Sequence, residues 1–322
     1  KMTKEAGDDY EGLLTKDARE KVIEELKKQN LIEKIKDYNY RISKCYRCNS
    51  VIEPQISKQW FLKMSDLAKI AKGAVKKGDI KFHPKRWEKV YFNWLDNVKD
   101  WCISRQIWWG HKIPLKGVDD VLDTWFSSAL WPFAVFGWPD TKSKDMKEFY
   151  PTQILSTARD IINLWVTRMI FSGIELTDKK PFSDVIIHPT ILTKDGKRMS
   201  KSLGTGLDPM ILIEKYGADA TRFGLIYQMM GGQDIHFSED AIMAGKKFAN
   251  KLWNIARFVL QNANSKFKIP ACVETSAGRQ NSKLQIKTQN LTNQDREILK
   301  KLDNIVKSAD KDIEKYNFGQ AL

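Results

Sequence analysis

Asp184-Val185-Ile186-Ile187-His188-Pro189, followed by Asp195-Gly196-Lys197-Arg198-Met199-Ser200-Lys201-Ser202, decides the fold of this chain. Asp184–Ile187 is a short, mostly apolar run whose last three residues are β-branched, which reads as a buried strand that His188-Pro189 ends. The basic loop beyond it carries cations beside two hydroxyls, and Gly204-Thr205-Gly206 loosens its exit. Cations so placed can meet phosphate oxygens as negative charge develops on them in phosphoryl or adenylyl transfer. The same composition also fits a solvated charged turn.

Working outward from this stretch, Asp160 to Leu176 is a strongly apolar segment. Ile161, Leu164, Trp165, Arg168 and Met169 fall at i, i+3, i+4, i+7 and i+8, which predicts a helix. Tyr150 to Ser156 reads as a strand before it. Strand, helix and strand in succession predict a parallel α/β unit. Ligands of such sheets sit at the carboxyl ends of the strands, here Thr157–Asp160 and His188–Ser202. Further upstream, Ser57 to Met64 reads as a buried strand, Ser65 to Lys76 as a helix, and Ile80 to His83 as extended. Pro84 opens a helix to about Asn97, with Trp87, Val90, Tyr91 and Trp94 on one face. A short helix is expected from Ser127 to Pro132. Nearest the N-terminus, Thr15 is placed to cap a helix to about Gln29, and Ile35 to Ile42 alternates as a strand would.

Downstream, Pro209–Tyr216 and Ala218–Met230 are expected helices, broken at Gly217. Ile242 to Asn262 carries Phe248, Leu252, Ile255 and Val259 on one stripe. Gln294 to Tyr316 carries Ile298, Leu302, Ile305 and Ala309. The polar segment from Pro270 to Asn290 between them reads as a linker, and the two helices as part of a bundle.

Composition narrows the function classes. The chain has 322 residues, 42% hydrophobic, with a net charge of +14, which predicts either a polyanionic partner or a surface basic for solubility. From Ala241 to Leu322 there are 15 Lys plus Arg against 7 Asp plus Glu, so that quarter holds +8 of the excess. Four cysteines are too few for a disulfide scaffold and fit a reducing cytoplasm. No 18-residue apolar run or signal peptide is visible. Cys45-Tyr46-Arg47-Cys48 supplies two thiols where a tetrahedral zinc site wants four; Cys102 and Cys272 lack the spacing to complete it. The pair is half of a metal site or two structural thiols.

Gly196-Lys197-Arg198-Met199-Ser200-Lys201-Ser202 resembles the K-M-S-K-S signature of class I aminoacyl-tRNA synthetases, with Arg198 at the first signature lysine and Lys201 at the second. The resemblance extends along nearly the whole chain. It includes Asp9-Tyr10-Glu11-Gly12, the cysteine pair, Ser57-Lys58-Gln59-Trp60, Trp101 to Pro114, Leu122 to Pro139, Ser156 to Phe171, His188 to Ser202 and Asn250 to Phe258. In this order these look like the valyl-tRNA synthetase family, with the isoleucine enzyme as the nearest rival and a non-catalytic tRNA-binding remnant as a rival of another kind.

The resemblance implies ATP-dependent joining of valine to tRNA(Val) through valyl-adenylate, with Mg2+ accompanying ATP. It implies that Lys201, Arg198 and Ser200 serve catalysis. It also implies that His188, Asp160, Lys201, Met199 and Ser202 bind ATP, and that Trp125, Ile161 and Trp165 contact valine. Asp160 stands in Ala158-Arg159-Asp160, where the family has G-x-D, so alanine replaces the glycine. Cys45 and Cys48 would be metal ligands for Zn2+ in the complete protein. The implied domains are 1–56, the tail of the connective insertion, and 57–205, the second half of a Rossmann-like catalytic domain. A stem-contact region (206–240) and the start of an α-helical anticodon-binding domain (241–322) follow. The family's H-I-G-H signature is absent, since His83, His111, His188 and His236 lack its context. That signature and the editing domain are therefore expected upstream of Lys1, in a protein that is a cytoplasmic monomer without membrane association.

Overall fold

The computed structural model describes residues 1–45, 48–52, 56–199, 204–229, 233–262 and 292–322. The chain divides into two units, Lys1–Lys58 and Gln59–Leu322. In the first unit, helix α1 (Thr15–Lys28) follows a 3-10 turn at Lys4–Ala6. Thr15 is not the cap: Leu14 holds that position, without a side-chain hydrogen bond, and Thr15 is already helical. Ala18 is this unit's only buried hydrophobic among the described residues. The strand expected over Ile35–Ile42 is absent, and those residues are exposed. Alternation marks a strand only where a second strand offers hydrogen bonds, and the single bridge nearby joins Lys44 to Val51.

The second unit begins with β1 (Phe61–Leu62), α2 (Ser65–Lys76), β2 (Lys81–His83) and α3 (Trp87–Asp96). The buried strand expected over Ser57–Met64 shrinks to β1. It pairs antiparallel with β3 (Trp101–Cys102), and Phe61 is exposed. A second small antiparallel pair joins β4 (Ser104–Arg105) to β5 (Val121–Leu122). Helix α4 (Thr124–Ala134) starts three residues before the expected Ser127 and runs through Pro132. Its start is set by Asp123, whose side chain accepts the Trp125 N–H, a stronger signal than any later serine.

After α5 (Lys144–Phe149) comes β6 (Ile154–Ala158), two to four residues later than the expected strand. A 3-10 turn (Arg159–Ile161) and a π-helical turn (Ile162–Val166) lead into α6 (Thr167–Thr177), and β7 (Asp184–His188) follows. The sheet is parallel, in the order β2-β7-β6, so β6–α6–β7 is the expected βαβ unit. Its core brings Phe82, Val185 and Ile187 from the sheet, with Ile80 just before β2, against Ala71 and Val75 of α2, Tyr91 and Leu95 of α3, and Met169, Ile170 and Phe171 of α6. Val185 and Ile187 point inward while Asp184, Ile186 and His188 are more exposed, an alternation that a continuous apolar run hides.

Two short parallel strands, β8 (Ile191–Leu192) and β9 (Ile235–His236), flank the helices α7 (Pro209–Tyr216) and α8 (Ala218–Tyr227). Gly217, at φ +95°, makes the break between those helices, in a conformation that a side chain disfavours. Helix α9 (Glu239–Asn262) crosses α8 at Gly224. A Cβ on that glycine would lie 2.6 Å from Ile242 Cα and 2.8 Å from its backbone nitrogen. Gly224→Ala gains about 1 kcal/mol of helix propensity. It also forces two backbones apart, an overpacking cost of about 1–3 kcal/mol. The expected result is a net loss of stability, seen as a lower Tm in thermal denaturation; a raised Tm would show that this crossing is loosely packed.

Helices α10 (Asn293–Glu314) and α11 (Phe318–Ala321) close the chain. Helix α10 opens on a capping box between Thr292 and Asp295. Gly319 sits against the Met229 and Ile226 carbonyls at the end of α8. The stripes of the two helices expected to form part of a bundle are exposed, with Leu252 at 51% and Ile305 at 66%. Periodicity identifies a face that would be stabilised by cover, not what covers it. The linker over Pro270–Asn290 lies outside the described residues. Among those described, no helix is long and apolar enough to cross a membrane.

Candidate functional site: the strand ends and the basic loop

Parallel pairing places Ala158 opposite His188, so the two expected ligand-facing segments emerge side by side from the sheet. The 3-10 turn after β6 presents Asp160, and the His188 ring lies over its own exit loop, Nδ1 being 3.0 Å from the Pro189 carbonyl. From there the chain enters β8 and turns back on itself. The Thr193 N–H donates to Lys197 O (2.8 Å), and Gly196 takes the positive φ (+76°) that closes the turn. A bridge between Leu192 and Arg198 completes this hairpin. Arg198 then reaches Asp160, Nη1 to Oδ2 at 2.7 Å. The first signature cation and the expected ribose acceptor, far apart in sequence, are thus in contact.

A second ion pair fixes the base of the hairpin. Arg159 grips Asp234 through Nη1–Oδ1 (3.0 Å) and Nη2–Oδ2 (2.8 Å), and the Thr190 N–H donates to the same carboxylate (3.2 Å). Desolvation alone would raise the Asp234 pKa, but the Thr190 N–H and Arg159 outweigh it and hold the carboxyl below its usual range. Neither Arg159 nor Asp234 is among the expected site residues. A pair separated by 75 positions leaves no periodic trace in sequence. Met199 is half-buried after Arg198. Ser200, Lys201 and Ser202 lie outside the described residues.

Two of the three expected valine contacts, Trp125 and Trp165, meet at α4. Trp125 is in its first turn, and the Trp165 indole Nε1 donates to the Ser128 carbonyl in its second (3.0 Å). Trp165 also meets Trp131, with ring centroids 6.4 Å apart. Ile161 ends the 3-10 turn that presents Asp160, and is half-buried. A cavity of about 490 Å³ takes Trp125, Trp94, Leu164, Arg105 and Arg168 into its wall, but neither Ile161 nor Trp165.

Behind Trp125 lies a charged cluster. Asp123 Oδ2 accepts from Trp101 Nε1 (3.0 Å) and from Arg105 Nη2 (2.7 Å). The Arg168 guanidinium stacks on Trp101, 3.8 Å from the ring centroid, with Nη1 4.0 Å from Asp123. Burial pulls the Arg168 pKa down to about 10, with the Asp123 charge opposing the shift. In the helical stripe Arg168 merely extends an apolar face; only its buried partner explains a charge there.

Cys45 and Cys48 do not make a metal centre by themselves. No three His, Cys, Asp or Glu side chains among the described residues are grouped to hold an ion, and Cys272 lies outside them. The Ser50 hydroxyl and backbone N–H, with Cys45, lower the Cys48 pKa to about 7. That favours a thiolate, the form a metal or an electrophile requires.

A parallel βαβ unit here brings a cation–carboxylate pair to its strand ends, where open α/β sheets bind ligands. The family model for tRNA synthetases class I (I, L, M and V) matches residues 15–116 and 115–238, and the chain belongs to this family. Among curated relatives, the valine--tRNA ligase of Clostridium tetani is 43% identical over 346 residues, covering 98% of this chain. That of Fusobacterium nucleatum is 47% identical over 284 residues, covering 79% of this chain. The chain spans 37% and 32% of those relatives' lengths. Mycobacterium tuberculosis methionyl-tRNA synthetase bound by methionyl-adenylate shares the fold, with a TM-score of 0.66 at 20% identity over 87% of this chain and 52% of that one.

Proposed function

We propose that this chain is part of a ligase that activates valine with ATP and transfers it to tRNA(Val). The observation that carries the reading is the convergence of Arg198, Asp160 and His188 at the carboxyl ends of β6 and β7, within a chain similar along 98% of its length to a valine--tRNA ligase. In the proposed reaction a valine carboxylate oxygen attacks the α-phosphorus, and pyrophosphate leaves. The acyl group then passes from the adenylate to a tRNA hydroxyl, releasing AMP. No side chain bonds to substrate, so catalysis consists of positioning and charge stabilisation.

In this reading Asp160 accepts from the ribose hydroxyls, and Arg198 and Lys201 meet the phosphates. Arg198 now holds Asp160, so nucleotide entry exchanges one contact for two: the guanidinium moves to phosphate and the carboxylate to ribose. His188 and Met199 line the nucleotide, and Ser200 and Ser202 support the loop. Mg2+ arrives with the ATP phosphates. Trp125, Ile161 and Trp165 form the apolar slot for the valine side chain. The basic excess beyond Ala241 supports contact with the tRNA backbone by the anticodon-binding region. The protein acts as a cytoplasmic monomer.

Amino-acid-dependent ATP–pyrophosphate exchange by the full-length protein tests this. Valine should support exchange, and isoleucine roughly tenfold less or lower still, because a rigid apolar slot rejects one added methylene by about that factor or more. Preference for isoleucine would reassign the substrate. Absence of exchange with every amino acid, alongside retained tRNA binding, would leave a binding module.

A further inference from the structure

We infer that Asp123 and Arg168 are positioning residues that fix Trp125 and Trp165, two of the proposed valine contacts, relative to one another, and so set selectivity for a short branched side chain. The inference rests on the proposed role of those two tryptophans.

The contacts form a closed ring. Asp123 Oδ1 accepts the Trp125 N–H (3.0 Å) and thereby starts α4. Ser128, one turn further along the same helix, accepts the Trp165 indole N–H through its carbonyl (3.0 Å). A short step beyond Trp165, Arg168 returns to Asp123, with Nη1 at 4.0 Å from Oδ2. The two slot tryptophans are therefore referenced to one helix. That helix is tied at its first turn to the element carrying the second tryptophan.

The ring is anchored from behind. The Asp123 N–H donates to Ile103 O (2.7 Å) and its Oδ2 takes Trp101 and Arg105. Arg105 in turn donates through Nη1 to the carbonyls of Cys102 (3.0 Å) and Ser104 (2.7 Å). Asp123 and Arg168 are both buried, at 5% and 7% exposure. Among the described residues, Arg168 Nε and Nη1 find no hydrogen-bond acceptor, so its charge is balanced chiefly by Asp123 and the Trp101 face. A buried charge pair with so few alternatives holds its members in one arrangement, because any displacement leaves a charge uncompensated in a low-dielectric interior. Apolar indole faces supply no such restraint; the directional bond of the Trp165 indole is the one to the Ser128 carbonyl. The backbone here also departs from regular helix. Trp165 lies in the π-helical turn, whose wider spacing shifts it out of the α-helical register that Arg168 follows.

The test is steady-state kinetics of activation in the full-length protein. Asp123→Ala removes both the cap and the charge. It should raise the valine KM roughly tenfold or more, the scale of a misplaced contact, with the ATP KM unchanged and discrimination against isoleucine reduced. Asp123→Asn keeps an oxygen for the Trp125 N–H but removes the charge and sets an amide NH2 against the Trp101 and Arg105 donors; assayed where it is folded, it should show a smaller shift of the same kind than Asp123→Ala. Arg168→Met keeps the bulk over Trp101 and should also raise the valine KM selectively. A merely structural role would lower the active fraction and the Tm in all three while leaving both KM values and the isoleucine ratio as they were, which would overturn the inference. Trp125→Ala in parallel separates the layers. If it raises the valine KM while folded Asp123→Asn and Arg168→Met do not, the positioning roles fail alone; if Trp125→Ala also leaves the valine KM unchanged, the slot itself is misassigned.

Discussion

Lys201→Ala in the full-length protein should slow valyl-adenylate formation about 100-fold or more, the scale of losing one preorganised electrostatic donor. The reason is differential: the α-phosphorus gathers charge as it passes through five-coordination, so a cation held there stabilises the transition state more than bound ATP. ATP affinity should therefore fall far less than the rate. Arg198→Lys should be mild by comparison. Its ion pair with Asp160 joins two exposed groups, 68% and 43% accessible, and such pairs contribute at most about 1 kcal/mol. Single-turnover measurement of adenylate formation checks both variants. An unaltered rate in Lys201→Ala would remove the basic loop from the chemistry.

Trp165→Ala should raise the valine KM on the order of 10–100-fold, leave the ATP KM nearly unchanged and relax exclusion of isoleucine. Trp165 is half-buried against the core, so the truncation also costs stability, less than the roughly 3–5 kcal/mol of a fully buried tryptophan. Trp165→Phe keeps most of the bulk and loses only the bond to Ser128. Its valine KM should fall between those of the other two proteins. If Trp165→Ala, assayed where it is folded, keeps the original valine KM and isoleucine ratio, Trp165 is a core residue and the slot lies elsewhere.

The sequence alone determined the βαβ unit. The apolar segment Asp160–Leu176 and the run Asp184–Ile187 are local patterns, and local patterns survive in one dimension. Helix α2 appears at its expected limits for the same reason, and the order of residues around Arg198 and Met199 marks the site. The 3-10 and π turns over Arg159–Val166 shift the buried face to Ile162, Val166, Met169 and Ile170 and leave Leu164 exposed. The short pairings are not legible: β1 and β3 are two residues each, and hydrogen bonding to a partner, not composition, makes them strands. The start of α4 escapes a sequence reading because its cap is a buried aspartate that also serves three side chains from other elements. Tertiary structure alone decided that Arg198 meets Asp160, that Arg159 grips Asp234, and that Asp123 and Arg168 stand behind Trp125. Each is a pairing of charges tens of residues apart, fixed by which strand ends and helix turns the core brings together. A charge in sequence carries no record of the partner that makes its burial tolerable.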